Sequence, residues 1–435
     1  MHAATPASFL PTGAVADREW ASGLGGGRRL RVLYAVPGHH LLPAVGPSRN
    51  VLSLARALAR IPGIEPTVAF RRVVEPVVPE GVAVLELDPE GPLPRELRDD
   101  AAMRGIGVGE ALAYLRALDR FARRELARFD LVFEKGWLFS GWLAQRAVRA
   151  GRLGVPVENF VPDRARLHRE GWGKRLRLEL GFRIARRHLR RAPLVIVETE
   201  ALKRAMVAAY GLAAERVAVV GLGLDRDLFR PRSQAEARLR LGIAPEAMVW
   251  LYVGVLDATH DLWPLLRALA ATVRRKPPEL ELHLLGEGVR RQAYETFVRE
   301  RQLPVRFHGR LPHARVPEWI AAADLCLAPY DVSVFANGEL GYSTLKVREY
   351  LACGRPVATV ASGVLRELVR EGENGFLLAH DEAAWQAFLA APPSRARLAA
   401  MGEVAARTPL DSWEDTARGY LRHSLPHLAL PSEDR

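Results

Sequence analysis

The sequence predicts an α/β protein of two consecutive doubly wound domains, each a parallel sheet covered by helices on both faces. Three observations predict it. The chain has 435 residues, too many for one ordinary core and about right for two cores of roughly 200 residues each. Short apolar runs alternate with amphipathic stretches, the pattern of parallel strands joined by crossover helices. The alternation then restarts after a connector rich in Gly, Asp and Pro.

The first strand covers 30–36 and stops at Pro37-Gly38. A loop bearing His39, His40, Gly46 and Arg49 follows. It leads to a helix whose apolar positions, Val51, Leu54, Leu58 and Ile61, recur at helical spacing until Pro62-Gly63. Strands are expected at 68–70 and 82–87, a helix at 111–129, a strand at 131–134 and a helix at 139–150. Further strands are expected at 155–158, 194–198 and 217–220. The second series runs strand 249–253, helix 261–274, strand 280–285, helix 290–301, strand 305–308, helix 315–323 and strand 325–329. It closes with helix 344–352, strand 357–360 and helix 364–370. The expected divisions are a flexible tail over 1–29, a first domain over 30–222, a connector over 223–243, a second domain over 244–408 and a closing helix over 409–435.

Composition narrows the function classes. Apolar residues make up 49% and charged residues 26% of the chain, an ordinary globular balance. No apolar run approaches the ~18–20 residues that span a bilayer. The amino terminus lacks the basic start and apolar core of a signal peptide. Only Cys326 and Cys353 occur, both in apolar surroundings, so each reads as a small buried hydrophobe in a cytoplasmic protein. The net charge is +12. Arg164, Arg166, Arg169, Lys174, Arg175, Arg177, Arg183, Arg186, Arg187, Arg190 and Arg191 face only Glu170 and Glu179. Such a run reads either as a solvated helix face or as peripheral contact with an anionic membrane surface. Nucleic acid is not the expected partner, because few aromatics interleave with the charge.

In doubly wound sheets ligands bind beyond the carboxyl ends of the strands. Four such turns in the second domain are candidates. The first begins at Gly254, where a missing side chain lets backbone approach a ligand. The second is Gly286-Glu287-Gly288, and the third is His308-Gly309. The fourth, Tyr342-Ser343-Thr344-Leu345, opens a helix carrying Lys346 and Glu349. Ser343 or Thr344 fits the N-cap, and the free N–H groups beyond it attract an anion. A lysine in a first turn opposes the helix dipole unless an anion such as a diphosphate sits there. Glu349, one turn on, is placed to accept ribose hydroxyls. The bland alternative is an amphipathic helix with Glu349 in an ion pair. Asp225-Arg226-Asp227 has the form of an Asp-x-Asp metal motif but lies in the connector. No zinc spacing or Gly-x4-Gly-Lys-Ser/Thr loop is present.

The sequence resembles the retaining GT-B glycosyltransferases of family 4 from Leu30 onward. Gly46-Pro47-Ser48-Arg49 and the helix after it are similar to that family's acceptor-side glycine loop. The run through Thr199-Glu200-Ala201-Leu202-Lys203, Gly221-Leu222-Gly223-Leu224-Asp225 and Phe229-Arg230-Pro231 resembles its domain-closing segment. Glu349-Tyr350-Leu351-Ala352-Cys353-Gly354-Arg355-Pro356-Val357 resembles its "Glu-Tyr-x-Ala-x-Gly-x-Pro-Val" signature, and Gly372-Glu373-Asn374-Gly375 its "Gly-x-Asn-Gly" loop. The resemblance implies two Rossmann-like domains facing each other across a cleft, with the helix headed by Trp413 crossing back to the first. It implies transfer of a sugar from a UDP- or GDP-sugar to an acceptor hydroxyl, with retention and without a metal or other cofactor. It also implies donor contacts at Gly254, His260, Gly286, Glu287, Gly309, Tyr342, Ser343, Thr344, Leu345, Lys346 and Glu349. His39 and His40 are the candidate proton handlers, with Gly46, Arg49, Glu134 and Lys135 on the acceptor side. Three positions depart from the pattern. Gly341 stands where many relatives have the first of two acids eight apart, and Val255 and His260 stand where they have Arg and Lys. These departures leave two rival readings: an epimerase or hydrolase acting on the same donors, and a degenerate transferase that only binds.

Overall fold

The computed structural model describes residues 29–42, 46–91, 108–161, 171–272, 280–335 and 338–428. Most of the tail expected over 1–29, the residues Arg164, Arg166, Arg169 and Glu170 of the basic run, and the chain after 428 lie outside these. In order, the first domain contains β1 (Leu30–Val36), α1 (Gly46–Ala59), β2 (Ile64–Phe70), β3 (Ala83–Glu86), α2 (Val108–Glu125), β4 (Leu131–Lys135), α3 (Trp142–Arg149), β5 (Leu153–Glu158), α4 (Trp172–Leu189), β6 (Val195–Val197), α5 (Glu200–Tyr210) and β7 (Val217–Val219). After α6 (Gln234–Leu241) come β8 (Met248–Val253), α7 (Trp263–Thr272), β9 (Leu280–Leu285), α8 (Arg291–Glu300), β10 (Val305–Gly309), α9 (Val316–Ala322), β11 (Leu325–Ala328), α10 (Leu345–Ala352), β12 (Val357–Thr359), α11 (Leu365–Leu368), β13 (Gly375–Leu377), α12 (Glu382–Ala390), α13 (Arg395–Ala406) and α14 (Trp413–Ser424).

The strands form two parallel sheets, ordered β3-β2-β1-β4-β5-β6-β7 and β10-β9-β8-β11-β12-β13. Each order reverses once, between β1 and β4 and between β8 and β11. A doubly wound sheet opens its ligand crevice at that reversal, so topology alone directs attention to the ends of these four strands. The central strands read as near-continuous apolar runs because both faces are covered. One face of the first sheet packs on α1 and α14, through Val51, Leu54, Leu58, Trp413, Tyr420 and Leu421. The other packs on α2 and α3, through Tyr114, Leu118, Phe121 and Leu143. The last helix thus belongs to the first core, and Glu414 also pairs with Arg60, just after α1, at 2.6 Å.

Three differences from the sequence expectation have local causes. Helix α3 begins at Trp142 rather than 139, because residues 137–141 fold around the Glu134 carboxylate and Gly141 turns left-handed (φ 79°). Helix α7 begins at Trp263, because the Asp261 carboxylate accepts the Trp263 N–H. Asp225 is spent on a turn, accepting from the N–H groups of Asp227 and Leu228 at 3.1 and 3.0 Å, so the Asp-x-Asp string is connector geometry. Both cysteines are free and buried. Burial pushes their thiols up, Cys353 to about 12.

Candidate active site

Three glycines step across the ends of β8, β9 and β10. The Gly254 N–H donates to Leu285 O at 2.9 Å and the Gly286 N–H to Gly309 O at 2.7 Å. Gly286 has φ 146°, and a Cβ there would collide with the Gly254 carbonyl. Gly254 has φ 152°, and a Cβ there would meet Lys346 Nζ and Tyr252 Oη. Only glycine permits this close stacking of strand ends. Glu287 is held by Arg291 of α8, and Val255 is 51% exposed.

Lys346 reaches into the space that Gly254 leaves. Its side chain leaves the first turn of α10, and Nζ donates to Tyr252 Oη at 3.2 Å. The ammonium lies 4.5 Å from the Tyr252 ring centroid and 5.5 Å from that of Tyr330. Burial lowers its pKa from 10.5 to about 7. Among the described residues no carboxylate pairs with it directly. Asp257 and Glu349 act on it only through the field. Beside it, the His260 ring lies tilted against that of Tyr330, with centroids 5.1 Å apart. The Asp257 carboxylate fixes His260 by accepting its backbone N–H and meeting Nδ1 at 3.0 Å. Burial, helped by the Lys346 charge, lowers the His260 pKa to about 4, so the ring is neutral near pH 7.

Glu349 lies one turn along α10 from Lys346. It is buried, and its Oε1 meets His313 Nε2 at 3.1 Å. From the first domain, Arg49 near the start of α1 brings its charge to bear on Glu349 and Arg310. Thr344 occupies the N-cap of α10, but its hydroxyl bonds Tyr330 Oη at 2.7 Å instead of capping. The buried Ser343 hydroxyl has no partner among the described residues. Tyr342 packs edge-on to Phe335, and Leu345 packs against the first domain's core.

The loop before α10 is held from across the cleft. The Ser343 N–H donates to Glu198 Oε2 at 3.1 Å, and the Thr199 hydroxyl donates to Gly341 O at 2.6 Å. Thr199 also accepts from Leu202 N–H, capping α5. Arg204 approaches Glu339 at 3.8 Å.

On the first-domain side, His39 is buried and His40 half-buried in the turn after β1, and Gly46 opens α1. Glu134 is the penultimate residue of β4, but its carboxylate turns inward. It accepts from Trp137 Nε1 at 2.7 Å and from the N–H groups of Trp142 and Ala144 at 3.1 and 2.8 Å. It therefore holds the start of α3, and burial raises its pKa to about 7. Lys135 is buried beside two acids not singled out in the sequence, Glu158 at the end of β5 and Glu198 after β6. Burial raises Glu158 to about 8 and also raises Glu198. The signal was available: each acid closes an apolar strand on the crevice side of a parallel sheet. One grouping among the described residues has metal-ligand proximity, Asp261, Asp331 and His380. Asp261 there already accepts from Trp263 N–H and Tyr294 Oη and pairs with Arg290.

The family model for glycosyl transferases group 1 matches residues 247–391, and that for glycosyltransferase family 4 matches residues 45–228. A D-inositol 3-phosphate glycosyltransferase of Thermobispora bispora is 31% identical over 376 residues, covering 80% of this chain and 81% of the relative. The chain belongs to glycosyltransferase family 4. It is a glycosyltransferase with the GT-B fold. Sucrose-phosphate synthase from Thermosynechococcus elongatus superposes with a TM-score of 0.67 at 22% identity, covering 92% of this chain and all of that one. Anabaena HepE, solved with UDP and glucose, superposes with a TM-score of 0.66 at 19% identity over the same shares. In this family member the second cleft wall carries a half-buried lysine and a buried acid one turn apart, and the first wall carries Arg49 and the Glu198–Thr199 clamp.

Proposed function

We propose that this enzyme transfers a sugar from a UDP- or GDP-sugar to an acceptor hydroxyl, with retention of configuration and without a metal. The observation that carries the reading is Lys346. A half-buried lysine whose pKa desolvation lowers to about 7, with no paired carboxylate among the described residues, is a costly arrangement. It is relieved when a diphosphate arrives, which fits a site for the leaving group of a nucleotide sugar. HepE was solved with UDP and glucose, which supports the same donor class.

In this reading the diphosphate lies between Gly254 and the start of α10. Lys346 and the free N–H groups of the first turn hold the charge that develops as the glycosidic C–O bond breaks. Glu349, oriented by His313, accepts the ribose hydroxyls. Gly309 and Gly286 leave room for the base and ribose beyond β9 and β10. His260, fixed by Asp257 and neutral, borders the sugar subsite rather than the charge. The acceptor enters from the first-domain wall, past His39, His40, Arg49 and Lys135. Closure of the two walls excludes water, which limits hydrolysis of the donor.

The test is a donor screen with mass detection of transferred sugar on glycan, lipid-linked and small-molecule acceptors. D-inositol 3-phosphate is included because relatives carry its name. Transfer that disappears in Lys346→Met and Glu349→Ala supports the reading. Donor turnover that proceeds equally without acceptor would instead favour hydrolysis or epimerisation. Absence of binding by every nucleotide sugar would overturn the site.

A further inference from the structure

We propose that α4 is a docking surface for an anionic lipid membrane. The inner face of α4 is accounted for. Phe182, Ala185 and Leu189 pack with Met206 and Tyr210 in one core cluster. The outer face is not. Trp172 is 81% exposed, Leu176 53% and Leu180 49%. With 3.6 residues per turn, these three and Arg183, Arg187 and Arg190 fall within a stripe about 80° wide. The stripe is apolar in its first half and cationic in its second. Arg175, Arg183, Arg186, Arg187, Arg190 and Arg191 are all exposed. The one acid on α4, Glu179, meets Arg183 at 3.3 Å. Among the described residues no ion pair engages Arg175, Arg187, Arg190 or Arg191.

Water is a poor partner for the apolar half, and a protein core is a poor partner for the cationic half. A second copy of this chain does not fit. Two α4 helices related by a two-fold axis would lay the arginine half of each either on the apolar half of the other or on its arginines, and both burials leave cations without carboxylates. An anionic bilayer surface satisfies both halves. Trp172 and the two leucines enter the headgroup boundary, where tryptophan is favoured. The arginines pair with phosphates, as a juxtamembrane basic cluster does. The helix lies on the first domain, packed by its inner face against Met206 and Tyr210. The proposal does not rest on the nucleotide-sugar reading, because binding is scored without turnover.

The experiment is flotation of the full-length enzyme with two kinds of vesicle, phosphatidylcholine alone and an equimolar mixture of phosphatidylcholine and phosphatidylglycerol. The expected result is binding to the anionic vesicles only, weakening as salt rises. Replacing Arg183, Arg187 and Arg190 by Gln weakens binding about fivefold per residue. The triple variant Trp172→Ser, Leu176→Ser, Leu180→Ser weakens it at least tenfold, with thermal midpoint and transfer to a water-soluble acceptor unchanged. Equal binding to both vesicles, binding to neither, or full binding by the triple serine variant would overturn the proposal. So would self-association in sedimentation that the triple serine variant abolishes, since that assigns the stripe to a second copy.

Discussion

Lys346 makes donor affinity and stability depend on pH in opposite senses. Its ammonium has a folded-state pKa of about 7, against 10.5 when unfolded. Between these values the folded chain binds fewer protons than the unfolded one. Stability therefore rises with pH across this window, and the cost is fully present below about pH 7. The move from 10.5 to about 7 corresponds to a ceiling on the order of 5 kcal/mol. Lys346→Met removes that cost. Even a third of it raises the thermal midpoint of the donor-free enzyme at pH 6 by a few degrees. Donor binding runs the other way, because a diphosphate needs the charged lysine. The diphosphate of a nucleotide sugar is doubly charged throughout this range. From pH 6 to pH 8 the charged fraction of Lys346 falls to about a tenth, so donor affinity falls about tenfold, roughly 1.4 kcal/mol. His260, with its pKa near 4, stays neutral over this range and adds nothing. The assay is calorimetric titration of the donor found in the screen at several pH values, with melting curves alongside. Lys346→Arg keeps the charge and flattens the pH dependence, and Lys346→Met abolishes the donor-induced melting shift. A lower midpoint for Lys346→Met at pH 6, or donor affinity unchanged between pH 6 and pH 8, would refute the assignment.

The other predictions concern the groups around that lysine. Thr199→Val removes both the α5 cap and the bond to Gly341 O. It costs about 1 kcal/mol of stability and raises donor KM about tenfold with little change in the α5 core. Thr199→Ser restores both values in steady-state kinetics and melting. Glu349→Ala lowers kcat/KM at least tenfold by removing a hydrogen bond to ribose. A 2′-deoxyribose donor loses less from that variant than the ribose donor does, whereas a purely structural Glu349 would make the losses equal. Gly254→Ala forces a Cβ toward Lys346 Nζ at a left-handed φ, so melting falls by about 1–3 kcal/mol equivalent and the donor-induced shift disappears with it.

The fold was legible because its signals are local. Apolar runs such as 249–253 and 280–285, closed by Gly254 and Gly286, mark parallel strands and their crevice ends without reference to the rest of the chain. Helix α4 was harder, because arginines interrupt its outer face and hide the apolar period that Trp172, Leu176 and Leu180 carry. Long-range pairings left no trace in the sequence. Glu198 meets Ser343 across 145 positions, and His313 meets Glu349 across 36. Glu134 showed where a strand ends, but not that its carboxylate turns back to hold α3.

The departures from the family pattern at Val255 and His260 become intelligible in the same terms. The family pattern that the sequence resembles implies cations after the first strand of the second domain. Here that turn offers an exposed valine and a histidine pinned neutral by burial, and the cation comes from α10. Lys346 reaches the gap above Gly254, at the end of β8, and rests on Tyr252. The exchange has a cost, because a lysine reached through the core is desolvated where a loop cation is not. That desolvation is what lowers its pKa to about 7. The Glu198–Thr199 clamp then has a physical role. In the proposed donor reading a single cation carried on a helix tolerates little displacement, since its contact with the diphosphate would depend on the position of one helix start. Holding residues 341–343 from the opposite wall fixes that position.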